Sequence, residues 1–220
     1  MPDLPPTRIL IVDDHPLVRE SLTTLIQQQP ELLVCGEAGT QDEAMTAIEA
    51  SSPDLAIVDI SLSRGSGLDL VKDIRARHPD LAILVLSMHE ESIYAERVVR
   101  AGARGYVMKK ESTKKVIEAI RHVMNGELYL SPDIMTSLAK KFVAGRPPTS
   151  TLPVDDLSDR ELEVFRLLGQ GYETREIAHS LDVSIKTIQT YCARIKEKLR
   201  IRTGTELLRE AIQWTESGAR

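Results

Sequence analysis

Only two cysteines occur in 220 residues, and Cys35 and Cys192 stand far apart with no metal-ligand spacing between them. That usage argues against a disulfide framework and suits a reducing compartment. The five histidines, His15, His78, His89, His122 and His179, form no HxxxH or HxH pair, so no zinc site is expected. No apolar stretch approaches the roughly 20 residues of a membrane span. The opening "MPDLPPTR" lacks the basic and then apolar regions of a secretory signal. A cytoplasmic protein with no membrane partner is expected. The length suits two domains with sizeable cores but not three.

The net charge of -5 hides a division. Residues 1–127 carry 14 basic and 20 acidic side chains, net -6, whereas residues 157–220 carry 11 and 10, net +1. Within the latter, Ser184 to Gly204 holds Lys186, Arg194, Lys196, Lys198, Arg200 and Arg202 against Glu197 alone. A positive stripe inside an acidic protein suits a nucleic-acid face, although charge alone also fits a solvated helix surface.

From Arg8 to about Glu127 the apolar runs "ILIV", "LLVCG", "LAIVD", "AILVLS" and "GYVM" alternate with segments of helical period. Five such units imply a parallel sheet covered by helices on both faces, with functional groups gathered at the carboxyl ends of the strands. Pro16 fits the first turn of a helix, and His78-Pro79-Asp80 closes the third helix. After Glu127, "SPDIMTSLAKKF" reads as a short helix and Val143 to Asp156, rich in Pro, Ser and Thr, as a linker. "LSDRELEVFRLLGQG" then opens with Ser158 and Glu161 at capping-box spacing and ends at Gly171. A short helix from Thr174, a turn, a longer helix capped by Ser184 and a final helix over Glu206 to Trp214 complete a four-helix pattern. In the longer helix Ile185, Ile188, Cys192, Ile195 and Leu199 are expected to face inward.

Asp13 and Asp14 follow the first apolar run and Asp59 ends the third. With those strands adjacent, three carboxylates crowd one edge, an arrangement that calls for a cation. Hard oxygen ligands with room for water suit Mg²⁺ better than Zn²⁺. The fifth run delivers Lys109 and the fourth Ser87 to the same edge. A metal, an ammonium and a hydroxyl around a carboxylate make a site for a transferable phosphoryl group. Each residue alone is more often a cap, a turn or a solvated charge; their joint spacing carries the reading.

With Asp13-Asp14, Asp59, Gly67 eight residues beyond it, Ser87, Tyr106 and Lys109, Arg8 to Glu127 resembles the receiver domain of two-component response regulators. The resemblance implies a five-stranded flavodoxin-like α/β fold and an Asp59 that takes a phosphoryl group from the phosphohistidine of a sensor histidine kinase. It also implies Mg²⁺ held by Asp14, Asp59, the backbone carbonyl of Ser61 and, through water, Asp13. Lys109 would pair with a phosphoryl oxygen, Ser87 would move to bond another, and Tyr106 would turn inward. Leu62-Ser63 replaces the Met-Pro that such domains usually carry after the acceptor.

The short helix, turn and longer helix match helix-turn-helix geometry, whose second helix enters the major groove of double-stranded DNA. Lys186, Thr187, Gln189, Thr190, Ala193 and Arg194 fall opposite the apolar positions, and with Lys198 they form the expected DNA-contacting set. The stretch "LSDRELEVFRLLGQGYETREIAHSLDVSIKTIQTYCARIKEKL" is similar to the LuxR-type DNA-binding domain, and beside a receiver it implies the NarL subfamily. Tyr191 stands where many relatives have His and reads equally as a DNA contact or as interhelical packing; Gly204 stands where a basic residue is frequent. The expected domains are a receiver over 1–127, a linker with a short helix over 128–156 and an all-α four-helix helix-turn-helix domain over 157–220. Together they suggest a non-enzymatic promoter-binding regulator controlled by phosphorylation and homodimeric when phosphorylated or DNA-bound. A phosphohydrolase with an aspartate nucleophile and a receiver-controlled protein-binding module are the alternatives.

Overall fold

The computed structural model describes residues 5–62, 66–143 and 153–217. Contacts divide the chain into two compact units, Met1–Lys140 and Lys141–Arg220.

In the first unit, strands β1 (Thr7–Val12), β2 (Leu32–Ala38), β3 (Leu55–Val58), β4 (Ala82–Ser87) and β5 (Gly105–Met108) form one parallel sheet in the order β2-β1-β3-β4-β5. Ile9 to Val12, all of β3 and all of β4 are buried, because helices cover both faces of the sheet. The helices are α1 (Pro16–Gln27), α2 (Gln41–Ser51), α3 (Gly67–Arg77), α4 (Glu91–Ala101) and α5 (Thr113–Met124). Pro16 opens α1, where its missing N–H has no bond to lose, and His78 caps the end of α3. On one face Ile9, Ile11, Ile57, Leu84 and Val107 pack with Leu22 and Ile26 of α1 and with Val116, Ile120 and Val123 of α5. Strand order reverses between β1 and β3, so the carboxyl edge there opens a crevice.

Chain beyond Glu127 also joins this sheet. The Tyr106 N–H donates to the Tyr129 carbonyl at 2.9 Å and the Tyr129 N–H to the Arg104 carbonyl at 2.9 Å, covering the free edge of β5. Helix α6 (Pro132–Val143) follows, as its sequence suggests.

In the second unit a 3-10 turn (Pro153–Asp156) precedes α7 (Asp159–Gly169), α8 (Thr174–Ser180), α9 (Ile185–Leu199) and α10 (Gly204–Ser217). The expected linker therefore ends in ordered structure, because its last four residues close a turn; residues 144–152 lie outside the described residues. Ser158 and Glu161 make the expected capping box on α7. At the other end Gly171, at φ +87°, lets its own N–H and that of Tyr172 bond back to the carbonyls of Leu168 and Leu167. Leu162 and Phe165 of α7, Ile177 of α8, Ile188 and Ile195 of α9 and Leu207 and Ala211 of α10 are buried. Ile185 is not: at the first position of α9 it is 42% exposed.

Candidate functional site

The register of the central strands assembles the acidic edge. Val12 pairs with Val58, so the next residues, Asp13 and Asp59, leave the sheet side by side; the Asp59 N–H donates to the Val12 carbonyl at 2.9 Å. β5 delivers Lys109, whose N–H bonds the Ser87 carbonyl at 2.7 Å. The Lys109 ammonium then lies 2.6 Å from Asp13 Oδ2 and 2.7 Å from Asp59 Oδ2. Asp13 and Asp59 are 2% and 3% exposed, so both are sheltered from the water that would screen their repulsion.

Gly67 has a steric reason. A Cβ there would sit 1.8 Å from the Asp59 carbonyl oxygen, so only glycine lets α3 begin against the backbone of the Asp59 loop.

Burial raises the Asp59 carboxyl to about 6, and the ammonium of Lys109 opposes that rise. For Lys109 burial works to lower the value, but the charges of Asp59 and Asp13 outweigh it and hold the ammonium above its usual range. Burial pushes the Tyr106 phenol upward, so it stays a neutral hydrogen-bond donor.

Ligand atoms of Asp13, Asp14, His15 and Asp59 all fall within 4.8 Å of one another. Three carboxylates that close together are a hard-oxygen donor set, and they fit Mg²⁺. His15 Nδ1 approaches Asp14 Oδ1 at 2.7 Å from a position 68% exposed. No HxxxH or HxH spacing marks His15 in the sequence; its place beside the acids comes from following Asp14 directly, just past the end of β1.

Ser61, Ser87 and Tyr106 converge on a second residue that the sequence did not single out, His89. Its Nε2 lies 2.7 Å from Ser61 Oγ, its N–H donates to Ser87 Oγ at 3.2 Å, and its carbonyl accepts from the Tyr106 hydroxyl at 2.9 Å. The imidazole stacks on Tyr94 with ring centroids 4.7 Å apart. Tyr106 is thus already inward and Ser87 already bonded to the chain that follows it. No spacing rule marks His89, since what matters is a loop folding back on Ser61.

In the second unit Ser184 caps α9 by accepting from the Thr187 N–H at 3.0 Å. Lys186, Gln189, Thr190, Ala193 and Arg194 are exposed along one side of α9, while Thr187 is half-buried with its hydroxyl 2.8 Å from Ser184 Oγ. Tyr191 is half-buried. Lys198 departs from the expected set. Its ammonium folds back to Glu161 Oε2 at 2.7 Å and donates to the Asp156 carbonyl at 3.1 Å, so it ties α9 to the start of α7.

Comparison with known proteins agrees with both halves. Residues 9–121 match the family model of the response regulator receiver domain, and residues 155–211 that of the bacterial regulatory proteins of the luxR family. The oxygen regulatory protein NreC of Staphylococcus carnosus is 36% identical over 210 residues, covering 94% of this chain and 97% of that protein. The response regulator GacA of Pseudomonas aeruginosa is 32% identical over 206 residues, with 94% and 95% covered. Among solved structures, RcsB of Salmonella typhimurium superposes with a TM-score of 0.64 at 26% identity, covering 96% of this chain and 98% of that one. RcsB bound to the rprA promoter in the presence of the phosphomimetic BeF3- superposes with a TM-score of 0.60 at 26% identity, covering 93% and 97%. The chain belongs to the response regulators that join a receiver domain to a LuxR-family regulatory domain, a family of two-component transcriptional regulators.

Proposed function

We propose that this chain accepts a phosphoryl group on Asp59 from the phosphohistidine of a sensor histidine kinase and, so modified, binds promoter DNA through α9 as a homodimer. The observation that carries the reading is the Lys109 ammonium within 2.7 Å of both Asp13 and Asp59 on the edge where Asp14 also converges. Asp59 supplies the attacking oxygen, and the phosphorus–nitrogen bond of the donor breaks as the new phosphorus–oxygen bond forms. Asp14, Asp59, the Ser61 carbonyl and, through water, Asp13 would hold Mg²⁺. When bound, the ion supplies charge neutralisation for the carboxylates and for an incoming phosphoryl group. Lys109 exchanges its contact with Asp59 for one with a phosphoryl oxygen, while Ser87 gives up its bond to the His89 N–H to meet another. Tyr106, bonded to the His89 carbonyl, follows that loop.

On the DNA side Lys186, Thr187, Gln189, Thr190, Ala193 and Arg194 form the reading face; RcsB, solved bound to a promoter, supports DNA binding, and the exposed side of α9 supports the choice of face. The domain limits proposed with this reading are a receiver over 1–127, a connecting segment over 128–156 whose Tyr129 pairs with the receiver's β5 edge, and the DNA-binding domain over 157–220. Its place is the cytoplasm, with self-phosphorylation from small donors and slow autodephosphorylation as its only chemistry. The test is treatment with acetyl phosphate, with and without chelator, and location of the acid-labile modification by mass spectrometry. Mg²⁺-dependent labelling at Asp59, lost in Asp59→Ala, is expected. Labelling of Asp59→Ala equal to that of the unaltered chain contradicts the reading.

A further inference from the structure

Arg19 touches the acidic edge from behind, through its backbone. It projects from the first turn of α1, and its guanidinium donates to the Asp13 carbonyl at 2.6 Å while Nε donates to Glu37 Oε2 on β2 at 3.2 Å. Glu37 is steadied in turn, since its Oε1 accepts from the Thr23 hydroxyl at 2.9 Å. The Arg19 side chain is 20% exposed. Glu37 already balances the charge of Arg19, so the bond to the Asp13 carbonyl is not charge compensation. A guanidinium is a rigid planar fork, and engaging one side on Glu37 fixes where the other points.

The carbonyl it holds belongs to the peptide that joins Asp13 to Asp14. A peptide unit is planar, so fixing that oxygen also fixes the N–H and Cα of Asp14. On the other side the Asp13 N–H is held by the Ala38 carbonyl at 3.0 Å. Two neighbouring carboxylates repel, and a loop free to rotate would relieve the repulsion by swinging Asp14 into water. With the backbone pinned at both points, the two acids stay converged.

We propose that Arg19 is a positioning residue for the divalent cation, holding the Asp13–Asp14 peptide so that both carboxylates remain aimed at the ion. The inference rests on the phosphoacceptor reading above and adds to it a residue that touches neither ion nor phosphoryl group. Its sign separates it from plain electrostatics. A positive charge near a cation site repels the cation, so loss of that charge alone would tighten binding. Loss of positioning weakens it.

The experiment titrates MgCl₂ into the unphosphorylated full-length protein by isothermal calorimetry, for the unaltered chain, Arg19→Ala and Arg19→Lys, with melting temperatures recorded beside. Both variants are expected to bind Mg²⁺ about tenfold more weakly, the range seen when a group that orients a metal ligand is removed. Arg19→Lys keeps the charge and the aliphatic stem but not the fork, and it decides the matter if Arg19→Ala does not fold. In acetyl phosphate labelling the half-saturating Mg²⁺ concentration should rise by the same factor while the rate at saturating Mg²⁺ is retained. Unchanged or tighter Mg²⁺ binding in Arg19→Lys overturns the proposal, whatever happens to the melting temperature. If the unaltered chain binds no Mg²⁺ at all, the cation reading falls and this inference with it, an outcome distinct from normal binding that the variants leave unmoved.

Discussion

At Asp59 burial and charge act in opposite directions on one carboxylate. Burial raises it to about 6 from the ordinary 3.8, so folding favours its protonated form. That contribution to stability is complete below 3.8 and is lost as the pH rises through about 6. A cation reverses the preference, because it binds only the ionised form. Mg²⁺ added near pH 6 in weak buffer should therefore release protons, and should release far fewer well above that pH. Proton release that does not vary with pH would contradict the assignment. Lys109→Met removes the charge that restrains the rise, so Asp59 should titrate higher still, label more slowly at neutral pH and depend more on Mg²⁺ for thermal stability. Ser87→Ala should label normally and fail to switch, as read by labelling beside a DNA-binding assay; a normal DNA response in Ser87→Ala removes the switching role.

Among the elements, α9 carries two kinds of basic residue that composition alone cannot separate. Arg194, like Gln189, is exposed, whereas the Lys198 ammonium is bonded to Glu161, whose side chain is 3% exposed. Burial acts to raise the Glu161 carboxyl, but the bonds from Lys198 and Ser158 outweigh it and hold the group below its usual 4.5. That stabilisation is present above 4.5 and is lost as the pH falls through the depressed value. Lys198→Met should destabilise the domain by about 1 kcal/mol at neutral pH, at the low end because the ammonium is partly solvated, with the deficit shrinking in acid. Thermal melts across pH check this, and the salt dependence of DNA binding should be unchanged. Arg194→Ala should instead reduce the salt slope by about 1 on every sequence, while Gln189→Ala should cost roughly 1 to 3 kcal/mol at one base pair. Binding to operator variants over a salt series distinguishes them; a uniform loss for Gln189→Ala would reassign the face. The elements themselves were readable because buried parallel strands are continuous apolar runs and the Ser158 and Ser184 caps are local. The edge pairing of Tyr129 was not, since it uses only backbone groups. Nor was the folded-back Lys198, whose partner is 37 residues away.

For the molecule as a whole, the strand-end residues Asp13, Asp59 and Lys109 were legible because each follows a buried apolar run; that β1 and β3 lie side by side was implied only by the receiver resemblance, and the structure brings the three together. Arg19 and His89 were not legible, because each acts by bonding a loop whose path depends on tertiary packing. Function requires the two halves to be energetically coupled: phosphorylation of Asp59 must change the affinity of α9 for DNA, and DNA must change the phosphorylation equilibrium by the same factor. The most direct test is DNA affinity, measured on genomic fragments first enriched with the phosphorylated protein, for the unaltered chain and Asp59→Asn, each with and without acetyl phosphate and Mg²⁺. The account predicts that phosphorylation tightens binding by the unaltered chain about tenfold, equivalent to about 1.4 kcal/mol of coupling. It predicts no change in Asp59→Asn. Equal affinity of the phosphorylated and unphosphorylated chain, or an equal response in Asp59→Asn, would contradict it.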